Sequence, residues 1–286
     1  MYKWEGLNNT NINLIKSINI SDEYDLQANL SSVLNSNNVL KRFLLWRNIK
    51  FLKLKNQYVG FIWFNKLSNN RYKINSIFVV SEFKSLDNYN ALLGAIKKNS
   101  IVTYFCKSSD IEYYIFKKLG FEKKRAIVEM KKPLKFFDEV ECDLPISFYR
   151  FQKNKDEKLR CNVQNQIFSD LSRYPIDEED VFFEENQKYY LNDGCIFIKH
   201  EESVAGYGQI ITDKGKAYLV NFGILEKYRG KGMGKLFLKY LLNLCYTMGY
   251  KEVYLKCNES NSTALKLYET MGFIQWDLTY ELYKIV

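Results

Sequence analysis

Histidine is almost absent from this chain: among 286 residues only His200 carries an imidazole. Zinc sites built on histidine and Ser-His-Asp triads both need imidazoles that the sequence does not supply. His200 ends the apolar run Cys195-Ile196-Phe197-Ile198 and precedes Glu201 and Glu202, which reads as a surface turn. The six cysteines (Cys106, Cys142, Cys161, Cys195, Cys245 and Cys257) show neither C-x-x-C spacing nor the density of a disulfide scaffold. They read as small buried hydrophobes in a reducing compartment. No apolar run approaches the roughly 18 residues needed to span a bilayer, and Met1-Tyr2-Lys3-Trp4-Glu5-Gly6 has no apolar signal core. The expectation is a cytoplasmic chain with no metal and no membrane contact.

What is present suits packed cores. Hydrophobic residues make up 47% and aromatics 16% of the chain, enough to argue against disorder. A length of 286 residues suits two domains of ordinary size. The formal charge of +9, with Lys117, Lys118, Lys123, Lys124, Arg125, Lys131 and Lys132 gathered in one region, raises an RNA-binding or ribosome-associated alternative. No nucleic-acid reader motif accompanies that charge. A basic surface equally favours capture of a small phosphorylated ligand.

The most informative stretch is Arg229-Gly230-Lys231-Gly232-Met233-Gly234-Lys235, between the apolar run Ala217 to Leu225 and an amphipathic pattern beginning at Met233. A strand that turns through three glycines into a helix exposes successive amides at the positive end of the helix dipole, which suits a pyrophosphate. Arg229 and the two lysines add cationic donors. Two commoner phosphate loops are excluded. The third glycine of G-x-G-x-x-G would fall on Lys235, and a P-loop would need glycine at Arg229 and Ser or Thr at Leu236.

A second motif follows one helix and one strand later, in Asn261-Ser262-Thr263-Ala264-Leu265-Lys266-Leu267-Tyr268-Glu269-Thr270-Met271-Gly272-Phe273. An N-cap near 260, an apolar face of Ala264, Leu267, Tyr268 and Met271, and a stop at Gly272 predict a helix. The two segments resemble, in order, the acyl-CoA loop (Arg/Gln-x-x-Gly-x-Gly/Ala) and the closing motif (Asn-x-x-Ala-x-x-x-Tyr-x-x-x-Gly-Phe) of the GNAT superfamily of N-acyltransferases.

The resemblance implies an enzyme that takes an acetyl or other short acyl group from acyl-CoA and passes it to a primary amine, on a small molecule or a peptide. It implies that Phe222, Gly223, Ile224 and Leu225 offer backbone groups to the pantetheine arm, with Gly223 suited to a bulge. The amides of Lys231, Gly232, Met233, Gly234 and Lys235, flanked by Arg229 and Gly230, would hold the pyrophosphate. Asn261 and Ala264 would meet the cofactor arm, and Tyr268 would face the thioester sulfur. The amide of Ile224 or Leu225 would serve the oxyanion, and the Tyr268 phenol would protonate the leaving thiolate. Many relatives carry a carboxylate in the strand before the loop, where this chain has Val220 and Asn221. Asn221 can orient water or substrate but cannot take the proton. A carboxylate from Asp177-Glu178-Glu179-Asp180-Val181-Phe182-Phe183-Glu184-Glu185 is an alternative source, although those acids also read as a solvated helix face.

The chain also reads as two copies of one fold. Glu112 to Phe121 aligns without gaps against Ala264 to Phe273, and Val59 to Trp63 matches Val204 to Gly208. In the first copy, Ser85-Leu86-Asp87-Asn88-Tyr89-Asn90 replaces the glycine loop, Phe116 replaces Tyr268, and Ser109 replaces Asn261. The expected architecture is therefore α/β (α+β): two tandem GNAT-like domains, each a mixed, mostly antiparallel sheet flanked by helices. Residues 1–133 would be a degenerate copy that binds no cofactor. Residues 134–145, with two of the three prolines at or beside them, would be a linker, and 146–286 the active domain. The missing carboxylate keeps a CoA-binding sensor or scaffold open as a further alternative.

Overall fold

The structure, a computed structural model, describes residues 2–8, 10–12, 48–135, 144–169 and 174–286. Its fold is mixed α/β, with mostly antiparallel sheet and flanking helices. The chain divides into two compact units, one of residues 1–126 with 279–286 and one of residues 127–278. This differs from the division at 133 and 146 expected from the prolines. Two strands, β6 (Glu122–Pro133) and β12 (Ile274–Ile285), each begin in one unit and end in the other. Prolines mark where a chain bends, whereas unit membership follows from non-local strand pairing. The expected linker lies in part outside the described residues.

In the first unit the strands are β1 (Tyr2–Gly6), β2 (Ile49–Leu54), β3 (Gln57–Ser68), β4 (Arg71–Val79) and β5 (Ile101–Lys107), in that spatial order, followed by the last residues of β12. β4 and β5 run parallel, and Thr279–Ile285 pair antiparallel with β5. Helices α1 (Leu86–Leu93) and α2 (Ile111–Lys118) complete a core around Ile62, Ile74, Leu92, Phe116 and Leu282. Several cations behind the RNA alternative are engaged here. Lys124 and Arg125 pair with the buried Glu281, and the Lys123 ammonium lies 4.9 Å from the Tyr280 ring centre.

The second unit orders its strands as the end of β6, β11 (Glu252–Asn258), β10 (Lys216–Ile224), β9 (Ser203–Asp213), β8 (Tyr190–His200) and β7 (Ile146–Arg150). β10 and β11 are parallel, while the neighbouring pairs are antiparallel. One face carries α5 (Met233–Thr247) and α6 (Ser262–Thr270). Met233, Phe237, Leu238, Leu241, Leu242 and Cys245 recur at helical spacing and are buried, which fixes the inward face of α5. The other face carries α3 (Glu157–Ile167) and α4 (Glu178–Glu185), packed through Val163, Ile167 and Val181 on Phe197 and Tyr207. His200 ends β8 beside Glu201, whose φ of 54° begins the tight turn read from the sequence. Five described cysteines are free and buried. Among the described residues, no helix is long and apolar enough to cross a membrane.

Leu282 is fully buried in the first unit although it lies at the far end of the sequence. Leu282→Ala should therefore destabilise that unit by about 2–5 kcal/mol in chemical denaturation. A loss below about 1 kcal/mol would show that the terminal strand adds little to that core.

Candidate functional site

The site begins where β10 leaves the sheet. A short 3₁₀ turn, Glu226–Tyr228, leads to the glycine loop, and α5 starts at Met233. Gly230 and Gly232 have φ of 77° and 78°, and a Cβ at either would meet no atom within 4 Å. Glycine is required there by backbone conformation, which other residues adopt at a cost. The loop is thus open on the side where a ligand would approach.

Gly232 is the N-cap of α5 and contributes no side-chain acceptor, and no acidic residue stands in the first turn. Its carbonyl receives the amides of Lys235 (3.1 Å) and Leu236 (3.2 Å). The Lys235 amide is therefore committed inside the helix, contrary to its expected role toward a pyrophosphate. The amides of Gly230 to Gly234 find no acceptor among the described residues. Unpaired donors, an aligned dipole and the exposed Lys231 and Lys235 side chains make this corner electropositive. Arg229 does something other than expected. Its Nε donates to the Ile224 carbonyl at 2.9 Å and a terminal nitrogen approaches the Ile167 carbonyl at 3.4 Å, bracing the loop against strand and helix.

Within β10 the ladder to β9 pairs Val220 with Gln209 and then Gly223 with Tyr207. Asn221 and Phe222 together oppose Gly208, which is a β-bulge. Asn221 carries it, with φ of 50°. Gly223, expected to form the bulge, instead sits where a Cβ would lie 2.2 Å from Ile167 Cγ2, so it is small to admit α3. The parallel register with β11 ends at Leu219 opposite Leu255. Beyond it, backbone groups alternate between the two edges of the strand. The Leu225 amide donates to the Ala205 carbonyl at 2.8 Å and is unavailable to an oxyanion. By alternation Phe222 and Ile224 direct their backbone groups to the other edge, where β11 has diverged.

Helix α6 brings in the second motif. Asn261 Oδ1 accepts the Ala264 amide at 3.1 Å, so its carbonyl end caps the helix and only its NH2 end is left for a ligand. Ala264 is half-buried against the core beside it. Tyr268 is buried, with its ring 6.2 Å from that of Phe222 in the bulge and 5.8 Å from Phe273. Burial, and secondarily nearby Cys257, pushes the phenol well above its ordinary pKa, so it stays protonated at neutral pH. Loop, bulge and tyrosine, separated in sequence, thus lie along one edge.

The acidic segment resolves into separate roles. Asp177 and Asp180 form the capping box of α4. Glu178 and Glu179 are exposed. Glu184 turns inward, pairing with the buried Arg160 and accepting from Gln209 Nε2 at 2.9 Å. Gln209 Oε1 in turn accepts from Asn221 Nδ2 at 3.1 Å and from Arg160 at 3.2 Å. Burial, then the charge of Glu157, raises the Glu185 carboxyl above the usual carboxylate range. Sequence reasoning did not single out Arg160 or Gln209. The available signal was a charged residue on the apolar face of α3 and a polar one at an inward position of β9.

The corresponding corner of the first unit differs in kind. Ser85 caps α1 by accepting the Asn88 amide at 3.2 Å, and Asp87 lies in the first turn. Phe116 stacks on Tyr104 with ring centres 4.1 Å apart.

Comparison with known proteins agrees with this geometry. Residues 163–273 match the sequence model of the Acetyltransferase (GNAT) family. The chain is 28% identical over 97 residues to the [Ribosomal protein bS18]-alanine N-acetyltransferase of Salmonella typhimurium, covering 33% of this chain and 62% of that protein. It spans 40% to 62% of the length of the first curated relatives it matches. A GCN5-related N-acetyltransferase from Sphaerobacter thermophilus shares the fold at a TM-score of 0.71 and 14% identity, over 99% of this chain and 95% of that one. A tandem GNAT protein from the clavulanic acid biosynthesis pathway superposes at 0.58 and 10% identity, over 99% and 98% of the two chains.

The Gly223 contact can be tested directly. Gly223→Ala should cost about 1–3 kcal/mol in denaturant titration by forcing Ile167 aside. A neutral substitution would show that α3 does not set the position of β10.

Proposed function

We propose that the second unit transfers an acetyl or other short acyl group from acyl-CoA to a primary amine by direct attack in a ternary complex. One observation carries the reading. The uncapped, electropositive start of α5, the Asn221–Phe222 bulge and the protonated Tyr268 share the edge where β10 parts from β11. The open loop fits a pyrophosphate, whose oxygens would accept from the amides of Lys231 to Gly234. The edge at Phe222 and the Ile224 amide fits the polar groups of a pantetheine arm, the Ile224 carbonyl being taken by Arg229, and the NH2 of Asn261 could donate to that arm.

Acyl-CoA supplies an activated thioester carbonyl. The chain's own residues address the rest. The Ile224 amide is placed to donate to the oxygen that becomes negative. Tyr268 keeps its proton through the neutral range and can donate its hydroxyl to the departing thiolate as charge develops on sulfur. Asn221 orients the incoming amine or a water beside it. An alkylamine with a pKa near 10.4 is only about 0.04% neutral at pH 7, so it must lose a proton before attack. The relative named a ribosomal protein bS18-alanine N-acetyltransferase supports an amine as acceptor.

The first unit we read as a degenerate copy of the same fold, which the tandem neighbour supports as an arrangement. Its helix start is already capped and carries Asp87, both unfavourable to a phosphate. Free, buried cysteines suit a cytoplasmic setting.

Gly232→Asp should abolish acetyl-CoA binding in calorimetry while thermal unfolding stays cooperative, because a carboxylate would face the pyrophosphate. Unchanged affinity would remove the loop assignment. Tyr268→Phe should lower kcat by about 100- to 10,000-fold with acetyl-CoA affinity nearly unchanged, the range expected for a lost general acid. Wild-type activity should show no alkaline decline below about pH 10, because the required form is the protonated phenol and burial moves its loss upward. Full activity in Tyr268→Phe would leave Tyr268 a packing residue.

A further inference from the structure

Helix α4 buries only one side. Val181 packs inward and Glu184 turns to Arg160, whereas Glu178, Glu179, Phe182 and Phe183 are exposed around the rest of it. Phe182 is 41% exposed and Phe183 70%, so two consecutive rings stand in water where burial would stabilise both. Helical spacing sets each ring beside a carboxylate one turn earlier, Phe182 by Glu178 and Phe183 by Glu179. Among the described residues neither glutamate has a cation within ion-pair distance, and neither ring meets an aromatic or cationic side chain.

The first unit shows what completes such a pair. There the Lys53 ammonium lies 2.8 Å from Glu5 and 4.3 Å from the centre of the Tyr58 ring, serving carboxylate and ring face together. On α4 the acid and the ring occur twice without the cation. Asp177 and Asp180 extend the negative charge to the helix start, and no basic residue stands in the last turn. This charge repels a nucleic acid or any phosphate-bearing surface. A second copy meeting the same face across a twofold axis would set carboxylate against carboxylate.

We propose that the outer face of α4 docks a basic peptide segment of another protein. Its arginine or lysine side chains would lay their stems on Phe182 and Phe183 and bring their charged heads to Glu178 and Glu179. This face is turned away from the strands that Val181 packs against, so the occupant need not enter the edge where β10 parts from β11. The docking surface does not depend on acyl transfer.

The probe is a short fluorescein-labelled peptide of repeated Arg-Leu-Gly, titrated with the full chain at low salt and followed by anisotropy. Saturable binding is expected, at least about tenfold weaker at about 1 M salt, where the Debye length falls to about 3 Å. Glu178→Gln with Glu179→Gln and, separately, Phe182→Ser with Phe183→Ser should each weaken binding about 3- to 30-fold, as expected for two exposed contacts. Glu201→Gln with Glu202→Gln, exposed at the β8–β9 turn, should leave Kd within about twofold. If the phenylalanine pair fails to fold, the glutamate pair and its control still decide. Absence of saturable binding in the wild type would leave α4 a solvated face and overturn the proposal. An equal loss in the Glu201 and Glu202 control would reduce binding to net charge and overturn it too. A loss in only one pair of folded α4 variants would do the same, since ring and carboxylate are required together. Sedimentation supplies the last outcome: a mass that doubles with concentration, and returns to one chain in the phenylalanine pair, would give the face to a second copy instead.

Discussion

Two residues of β10 set against one of β9 govern this site. In a regular strand, Leu219 facing α5 would put Asn221 on the same side and Phe222 on the side of α3. The extra residue reverses that order. Asn221 reaches Gln209 on the α3 side, and Phe222 meets Phe237 and Tyr268 on the α5 and α6 side. Downstream, the same shift puts Gly223 under Ile167, where any side chain would collide. It also coincides with the end of the parallel ladder, so the edge of β10 that would have continued pairing with β11 is left open. One backbone irregularity thus coincides with the end of a ladder, faces an amide into a buried network and constrains which residue can follow.

Legibility from sequence followed the range of the interactions. The glycine loop, the cap at Asn261, the stop at Gly272 and the apolar stripe of α5 are local, set by backbone conformation or helical spacing, and they were readable. The strand-helix alternation and the mixed sheet were readable for the same reason. What the sequence did not reveal depends on register. The bulge was expected at Gly223 because glycine tolerates one, but pairing with Gly208 places it at Asn221. Arg229 was expected to meet phosphate because it is cationic, yet a carbonyl left unpaired at Ile224 lies closer. The exchange of β6 and β12 between units cannot be read from composition, because Ala126, Val128 and Met130 continue one alternating strand without a turn signal.

The two helix starts show how little chemistry separates a helix N-terminus with unmet amides from one that is already capped. Both follow a strand and a 3₁₀ turn, and both carry the same dipole. At α5 the cap is a glycine with left-handed backbone, so the first amides keep their need for an acceptor and the lysines reinforce it. At α1 Ser85 already satisfies one amide, and the carboxylate of Asp87 offsets the positive end by roughly 0.3–1 kcal/mol. Neither change disturbs packing, because both residues lie at the rim. An incoming anion at α1 would have to displace an internal acceptor and then sit beside a like charge, whereas at α5 it would complete the helix. The core and the corner rest on different residues, so the chemistry of a helix start can change while sheet and core are kept.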